Sequence, residues 1–457
     1  MLSTIVLTSL LQTVGQSTTT PATNSYYSNH GYPGFGSIVA KAGDVDGDGV
    51  PDFILGDPGQ RKAPDLHGER MDEVAPRFWF VSGKTGAVVR SIAPDLQRAY
   101  TRSIEGGVDV DGDHVGDLLI ATDALESGGA SSVYVVSGKD GGVRHKIATC
   151  SRSCMWHGAV HFVSDVDRDG VGDFAVLCPL TSATKGSLAI YSGRTGARIK
   201  ELDVDNASRA DLCAFVDVGD IDADGTTDFA VLLGGQSTSA GKTAIELHDF
   251  GKEMVASSLC AYSGANGRKL WDTRADPKPC SWNRASLALV ATDQVHPSLV
   301  YGIDARVELV DAKDGKSLVR LKPGSRDDEG FGYSVSALSD IDHDGITDFV
   351  YTIFDTGLYD GRVVACSGRD GKALWKVEHG INDNPDEDIH HLGNEVALIG
   401  DIDGDGISDL AVATQKIIDG STGIAEVISG KDGALLFRFK RVGDDVVVTR
   451  RGERSKR

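Results

Sequence analysis

Six nine-residue segments share one order of aspartates: DVDGDGVPD (44–52), DVDGDHVGD (109–117), DVDRDGVGD (165–173), DIDADGTTD (220–228), DIDHDGITD (340–348) and DIDGDGISD (401–409). Carboxylates stand at positions one, three, five and nine of each. They are Asp44, Asp46, Asp48 and Asp52; Asp109, Asp111, Asp113 and Asp117; Asp165, Asp167, Asp169 and Asp173; Asp220, Asp222, Asp224 and Asp228; Asp340, Asp342, Asp344 and Asp348; and Asp401, Asp403, Asp405 and Asp409. Two unit charges ~4 Å apart repel by about 4 kcal/mol at an effective dielectric of ~20, and four carboxylates make six such pairs. Without a counter-charge such a loop should splay open. Hard oxygen donors in this number suit Ca²⁺, which takes six to eight oxygens, whereas Mg²⁺ demands stricter geometry and keeps more water. The position-seven carbonyls of Val50, Val115, Val171, Thr226, Ile346 and Ile407, with a bidentate aspartate at position nine, would complete six ligands and leave room for water. The spacing therefore predicts up to six Ca²⁺ sites, each a staple that adds binding energy to folding rather than a catalyst.

An EF-hand is excluded. It needs Glu at position twelve and flanking helices, but position twelve here is Leu55, Ile120, Val176, Val231, Tyr351 or Val412, each inside a strand-like run. Position six, where the loop needs an unusual backbone angle, is Gly in five copies and His114 in the second, so the second site is expected to be the weakest. Six solvated acidic turns with no metal would not hold one spacing six times.

The elements that carry these loops follow from a second repeat. VSGKTG (81–86), VSGKDG (136–141), YSGRTG (191–196), YSGANG (262–267), CSGRDG (366–371) and ISGKDG (428–433) each follow an acidic loop, and a seventh copy, VDAKDG (310–315), follows a stretch without one. Seven units recur at about 58 residues. In that odd unit, roughly 281–320, the segment ATDQVHPSLVYG (291–302) takes the loop's place with only Asp293 retained. Each unit reads as strand, acidic loop, strand, variable loop, strand, SGxxG turn, strand. In the first these are GSIVAKAG, FILG, RFWFV and AVVRSI. The fold class is therefore all-β, a seven-bladed β-propeller of four-stranded antiparallel blades with calcium-binding loops, because single units cannot bury both faces and a ring removes the need for polar caps. Tyr26–Tyr27 or Val446–Thr449 is expected to supply a closing strand.

FGSIVAKAGDVDGDGVPDFILG (35–56) and FGYSVSALSDIDHDGITDFVYT (331–352) resemble the FG-GAP, or VCBS-type, repeats of the integrin alpha-subunit propeller and many secreted bacterial proteins. The resemblance covers roughly 31–440, is specific in the acidic loops, and is weakest over 262–320. It implies calcium in blade loops and a role in adhesion or partner recognition.

Composition narrows the partners. With 46 Lys and Arg against 67 Asp and Glu the net charge is −21, which argues against nucleic acid. The loops hold 24 of those acids, so the charge is mostly a count of metal ligands. Residues 2–14 (LSTIVLTSLLQTV) are too short to span a bilayer and read, with a boundary near residue 16, as a secretion signal without a basic n-region. A Ser/Thr-rich linker (17–30), the propeller (31–440) and a basic, frayed tail (441–457) follow, and a secreted or cell-surface location is expected. No membrane span is expected. Cys150 and Cys154 are the one close-spaced cysteine pair, read either as a local disulfide or as free thiols.

Strand parity puts the acidic loops and SGxxG turns on one face and the variable loops on the other. The long ones, 57–76, 145–160, 234–254, 273–284 and 378–391, make that second face the expected binding face for an extracellular protein or glycan. Trp156, His157 and Trp282 are candidate contacts there, with packing between blades as the plainer reading. Asp383, Asp386, Glu387, Asp388, His390 and His391 form a metal or acid/base candidate, or a solvated loop. An enzyme such as a polysaccharide lyase or hydrolase is the competing class, although no nucleophile elbow, HExxH, P-loop or dinucleotide fingerprint occurs. Trp271 and Trp375, at equal offsets from their turns, are expected on outer strands. That pattern is faintly similar to quinoprotein propellers, a class disfavoured by seven units.

Overall fold

The computed structural model describes residues 34–59, 75–97, 99–123, 131–148, 160–178, 185–205, 211–234, 257–274, 286–290, 297–303, 306–324, 330–354, 361–379, 390–416 and 424–450. Within them, runs such as DFILGD and RFWFV are buried on both faces, while the strands that follow the SGxxG turns alternate exposed and half-buried residues. Continuous burial marks strands covered on two sides, and alternation marks an outer rim. Together they build seven antiparallel sheets: β1–β4 (38–92), β5–β8 (100–148), β9–β12 (160–205), β13–β16 (211–274), β17–β20 (286–321), β21–β24 (331–379) and β25–β29 (390–450). Strand order in every sheet follows the sequence. Each blade is thus one contiguous repeat.

The first strands, β1 (Ile38–Gly43), β5 (Tyr100–Val108), β9 (Val160–Val163), β13 (Asp211–Gly219), β17 (Ser286–Val290), β21 (Phe331–Ala337) and β25 (His390–Gly400), contact one another in order, and β25 meets β1. The ring is closed, and the chain is a seven-bladed all-β propeller. The odd fifth unit is a regular four-stranded blade. Among the described residues no helix is long and apolar enough to cross a membrane.

Among the described residues seven separate hydrophobic clusters hold the ring, each made by two adjacent blades. Phe35, Phe53 and Trp79 pack with Ala411, Val427 and Phe439 across the seam between the seventh and first blades, and Phe215 and Phe229 with Leu188 and Ile190 between the fourth and third. Around the axis, polar side chains stitch one inner strand to the next. The Ser286 Oγ accepts from the Val335 N–H (3.0 Å), the Ser334 Oγ from the Val396 N–H (3.3 Å), and Glu105 Oε2 from the Phe162 N–H (2.8 Å) and His161 Nδ1 (3.1 Å).

Phe35–Gly36, Phe331–Gly332 and Leu392–Gly393 explain themselves at these seams, where a Cβ on Gly332 would stand 2.9 Å from the Arg306 carbonyl oxygen of the fifth blade. Gly36, at φ +78°, lies so close to the Ile424–Ala425 peptide that a Cβ would stand 2.9 Å from its carbonyl carbon, and Gly393 abuts the Thr352 side chain and the Arg362 carbonyl in the same way.

Of the two expected closing strands, the C-terminal one takes another place. Val446–Thr449 lies in β29 (Asp445–Arg450), which pairs with β28 (Leu435–Val442) as a fifth, outermost strand of its own blade and joins no other. A tight turn at Gly443, φ +63°, makes that local hairpin cheaper than a long-range pairing. Residues 441–450 of the expected basic tail thus lie in β28, β29 and the turn between them, and 451–457 lie outside the described residues. Tyr26–Tyr27, the leader and the linker lie outside the described residues.

Candidate metal centre

Each acidic loop joins the first and second strands of its blade, and its aspartates fold it through their own backbone. Asp44 Oδ1 accepts from the N–H groups of Gly47 (2.8 Å) and Asp48 (3.0 Å), and its Oδ2 from Gly49 (2.9 Å). Position three then accepts from five, as Asp46 does from Asp48 (3.1 Å), and five from seven, as Asp48 does from Val50 (2.9 Å). The other loops repeat this frame, with Asp401 Oδ2 accepting from Gly406 (2.8 Å) and Asp109 Oδ2 from His114 (2.8 Å).

The frame gathers oxygens. Those of Asp44, Asp46 and Asp48, of Asp109, Asp111 and Asp117, of Asp165, Asp167 and Asp173, of Asp220, Asp222 and Asp228, and of Asp340, Asp342 and Asp344 lie within 4.8 Å of one another in each group. Several aspartate clusters can therefore hold a metal ion. The donors are all carboxylate oxygens, a set that suits a hard cation.

Position nine does more than the sequence revealed. Asp52, Asp117, Asp173, Asp228, Asp348 and Asp409 are fully buried. One oxygen accepts from the N–H of position two, as in Val45 to Asp52 (2.7 Å) and Ile402 to Asp409 (2.9 Å). The other accepts from the first glycine of the SGxxG turn, as in Gly83 to Asp52 (2.9 Å) and Gly193 to Asp173 (3.1 Å). Loop and turn thus share one face, as strand parity requires, and the carboxylate ties them together. Both oxygens are engaged before any ion arrives, so a metal would use their remaining lone pairs. Burial, reinforced by the neighbouring aspartates, pushes Asp117 and Asp348 up to about 6 and Asp409 to about 7. Backbone N–H donors only partly offset it.

Two further features escaped the sequence reading. Position four as well as six lies in the left-handed region. Gly47, Gly112 and Gly404 occupy it freely, but Arg168 (φ 61°), Ala223 (61°) and His343 (58°) do so with a side chain, as His114 (68°) does at position six. Only the first and seventh blades have glycine at both. In addition, the basic third residue of the turn reaches position five: Arg194 to Asp169 (3.1 Å), Arg369 to Asp344 (2.5 Å), and Lys84 to Asp48 and Lys431 to Asp405 (both 3.8 Å). In the second and fourth blades it is an arginine beyond the turn that reaches the loop, at position three: Arg144 to Asp111 (2.7 Å) and Arg268 to Asp222 (3.5 Å). The recurrence of Lys or Arg after SG was the available signal.

Trp271 and Trp375 do lie on the fourth strands, β16 (Lys269–Arg274) and β24 (Ala373–His379). Each donates its indole N–H to the next blade's turn, at the carbonyls of Ala312 and Gly430 (both 2.8 Å). His145 and Lys200, at the same offset, bond the turn carbonyl of Gly193 (2.8 Å) and those of Gly264 and Ala265. These residues dock blades.

The variable-loop candidates Trp156, His157 and Trp282, the Asp383–Asp388 acids, Asp293 and the Cys150–Cys154 pair lie outside the described residues, and of His390 and His391 only the backbone, in β25, is described. No protein-family model matches the chain, and comparison with the curated proteins finds no significant match.

Proposed function

We propose that the chain is a secreted, calcium-stabilised propeller of the FG-GAP or VCBS kind that recognises a protein or glycan and does no chemistry of its own. The observation that carries this reading is the convergence of three aspartate oxygens within 4.8 Å in loop after loop on one face of the ring. The buried ninth aspartate supports it, because a carboxylate held away from water beside other carboxylates gains from a divalent ion. The aspartates at positions one, three, five and nine of all six loops then serve as ligands with the position-seven carbonyls, and Ca²⁺ joins the acidic loop, the turn and the two strand pairs of a blade. That role is structural, and it frees the longer connections after second and fourth strands, such as 58–76 between β2 (Asp52–Asp57) and β3 (Arg77–Val81), to carry recognition. Export is supported by the apolar stretch 2–14 and its Ser/Thr-rich sequel. Melting of the full chain with excess Ca²⁺ and with excess EGTA tests the metal. A markedly lower midpoint in EGTA is expected, and coincident curves would sink the assignment. Binding to a panel of glycans and secreted proteins, with polysaccharide turnover assayed in parallel, tests the recognition role. Turnover would replace it with an enzyme.

A further inference from the structure

The six acidic loops are not independent of one another. Position two of each is an apolar residue whose N–H is bonded to the ninth aspartate of its own loop, while its side chain faces the next blade. Ile402 shows the full path. Its N–H donates to Asp409 Oδ2 (2.9 Å), its Cγ2 stands 2.8 Å from where a Cβ on Gly83 would be, and the Gly83 N–H donates to Asp52 Oδ1 (2.9 Å). Val110 repeats it between the second and third blades: Asp117 Oδ2 at 2.9 Å, the Gly193 position at 3.3 Å, and Gly193 to Asp173 Oδ1 at 3.1 Å. Val45, Val166 and Ile341 pack into the clusters shared with the second, fourth and seventh blades.

The path ends at the fifth blade. Ile221 packs into the cluster that holds Ala312, which stands where the turn glycine should be, and the Ala312 N–H donates to the Pro297 carbonyl (2.9 Å) instead of to a loop aspartate. The six loops therefore form an open line that starts in the sixth blade, passes through the seventh, first, second and third, and stops in the fourth.

We propose that cation binding is positively coupled along this line, a regulation that rests on the calcium reading above. An ion that fixes one loop holds its position-two side chain against the next turn, and so presents the next ninth aspartate already positioned. The neighbour pays less ordering entropy, and by linkage the coupling acts in both directions. Calorimetric titration of the metal-free full chain with CaCl₂, with equilibrium dialysis for stoichiometry, tests this. The expected result is six ions bound with a Hill coefficient of about 2, and weaker steepness with six ions retained in Ile402→Ala and Val110→Ala. Ile402→Val, which keeps the core filled, should lose part of the steepness if the alanine variant unfolds. Leu309→Ala, a still more buried truncation between the fifth and sixth blades, off the line, should leave it unchanged. Six ions bound with a Hill coefficient of one would overturn the coupling alone, as would equal loss in Leu309→Ala. No uptake at all would overturn the calcium reading with it.

Discussion

A carboxylate that is fully buried and bonded to backbone N–H groups of two separate segments is the residue on which each loop depends. Burial raises the ninth aspartates above the ordinary carboxylate range, to about 6 for Asp117 and Asp348 and about 7 for Asp409. A folded-state pKa above the unfolded one favours folding while the group is protonated, and that contribution is lost as pH rises through the folded value. In metal-free protein these aspartates therefore cost stability between about pH 4 and 7, whereas an ion needs them ionised. The melting difference between calcium-loaded and resin-stripped protein should widen from pH 5 to pH 7.5, and a difference that stays constant would contradict the role given to position nine. At position four, Ala223→Gly should stabilise the metal-free fold by about 0.5 kcal/mol, the relief of left-handed strain exceeding the added freedom of the unfolded chain. Urea midpoints measure it. The spacing of the aspartates was legible because one pattern recurred six times. The left-handed angle at position four was not, because Arg168, Ala223 and His343 gave no sign of it.

The SGxxG turn is the element that converts a loop into part of a ring. Its last glycine has the positive φ that the sequence suggests, as at Gly86 (66°) and Gly196 (68°). Its first glycine is required for a different reason: a Cβ on Gly193 would stand 2.0 Å from the Gly172 carbonyl oxygen, and on Gly83 2.0 Å from that of Pro51. Backbone cannot yield that far without breaking the bond to the ninth aspartate. Gly193→Ala should therefore cost about 3 kcal/mol or more, seen as a lower urea midpoint, while a loss below about 0.5 kcal/mol would show the turn to be free to shift. Strands of the first blade fell within about two residues of their expected bounds, because turn glycines and apolar runs alternate so regularly there. The docking of Trp271 and Trp375 on the next blade was hidden, since single-chain spacing carries no record of what lies across a seam.

Across the whole molecule, six seams are crossed by the chain and one is not. That one, between the seventh and first blades, is held by the Phe53–Phe439 contact, by Asn394 Nδ2 on the Ser37 carbonyl (3.4 Å), by Arg450 on the Thr85 carbonyl, and by Arg441, which pairs with the buried Asp57 (3.1 Å) over the Trp79 ring. Arg441→Ala leaves the buried Asp57 with Arg77 as its remaining nearby cation and should cost about 2 kcal/mol, part of it recovered in the double variant with Asp57→Asn. A loss within about 0.5 kcal/mol would mark the pair as a solvated one. The number of blades was readable from the repeats, but the manner of closure was not, because β29 looks the same in sequence whether it closes the ring or edges one blade. Since no strand among the described residues is exchanged across that seam, it differs from the other six in connectivity and not in strand pairing. Joining the ends and opening the chain between any other two blades should yield a circular permutant with the same seven seams.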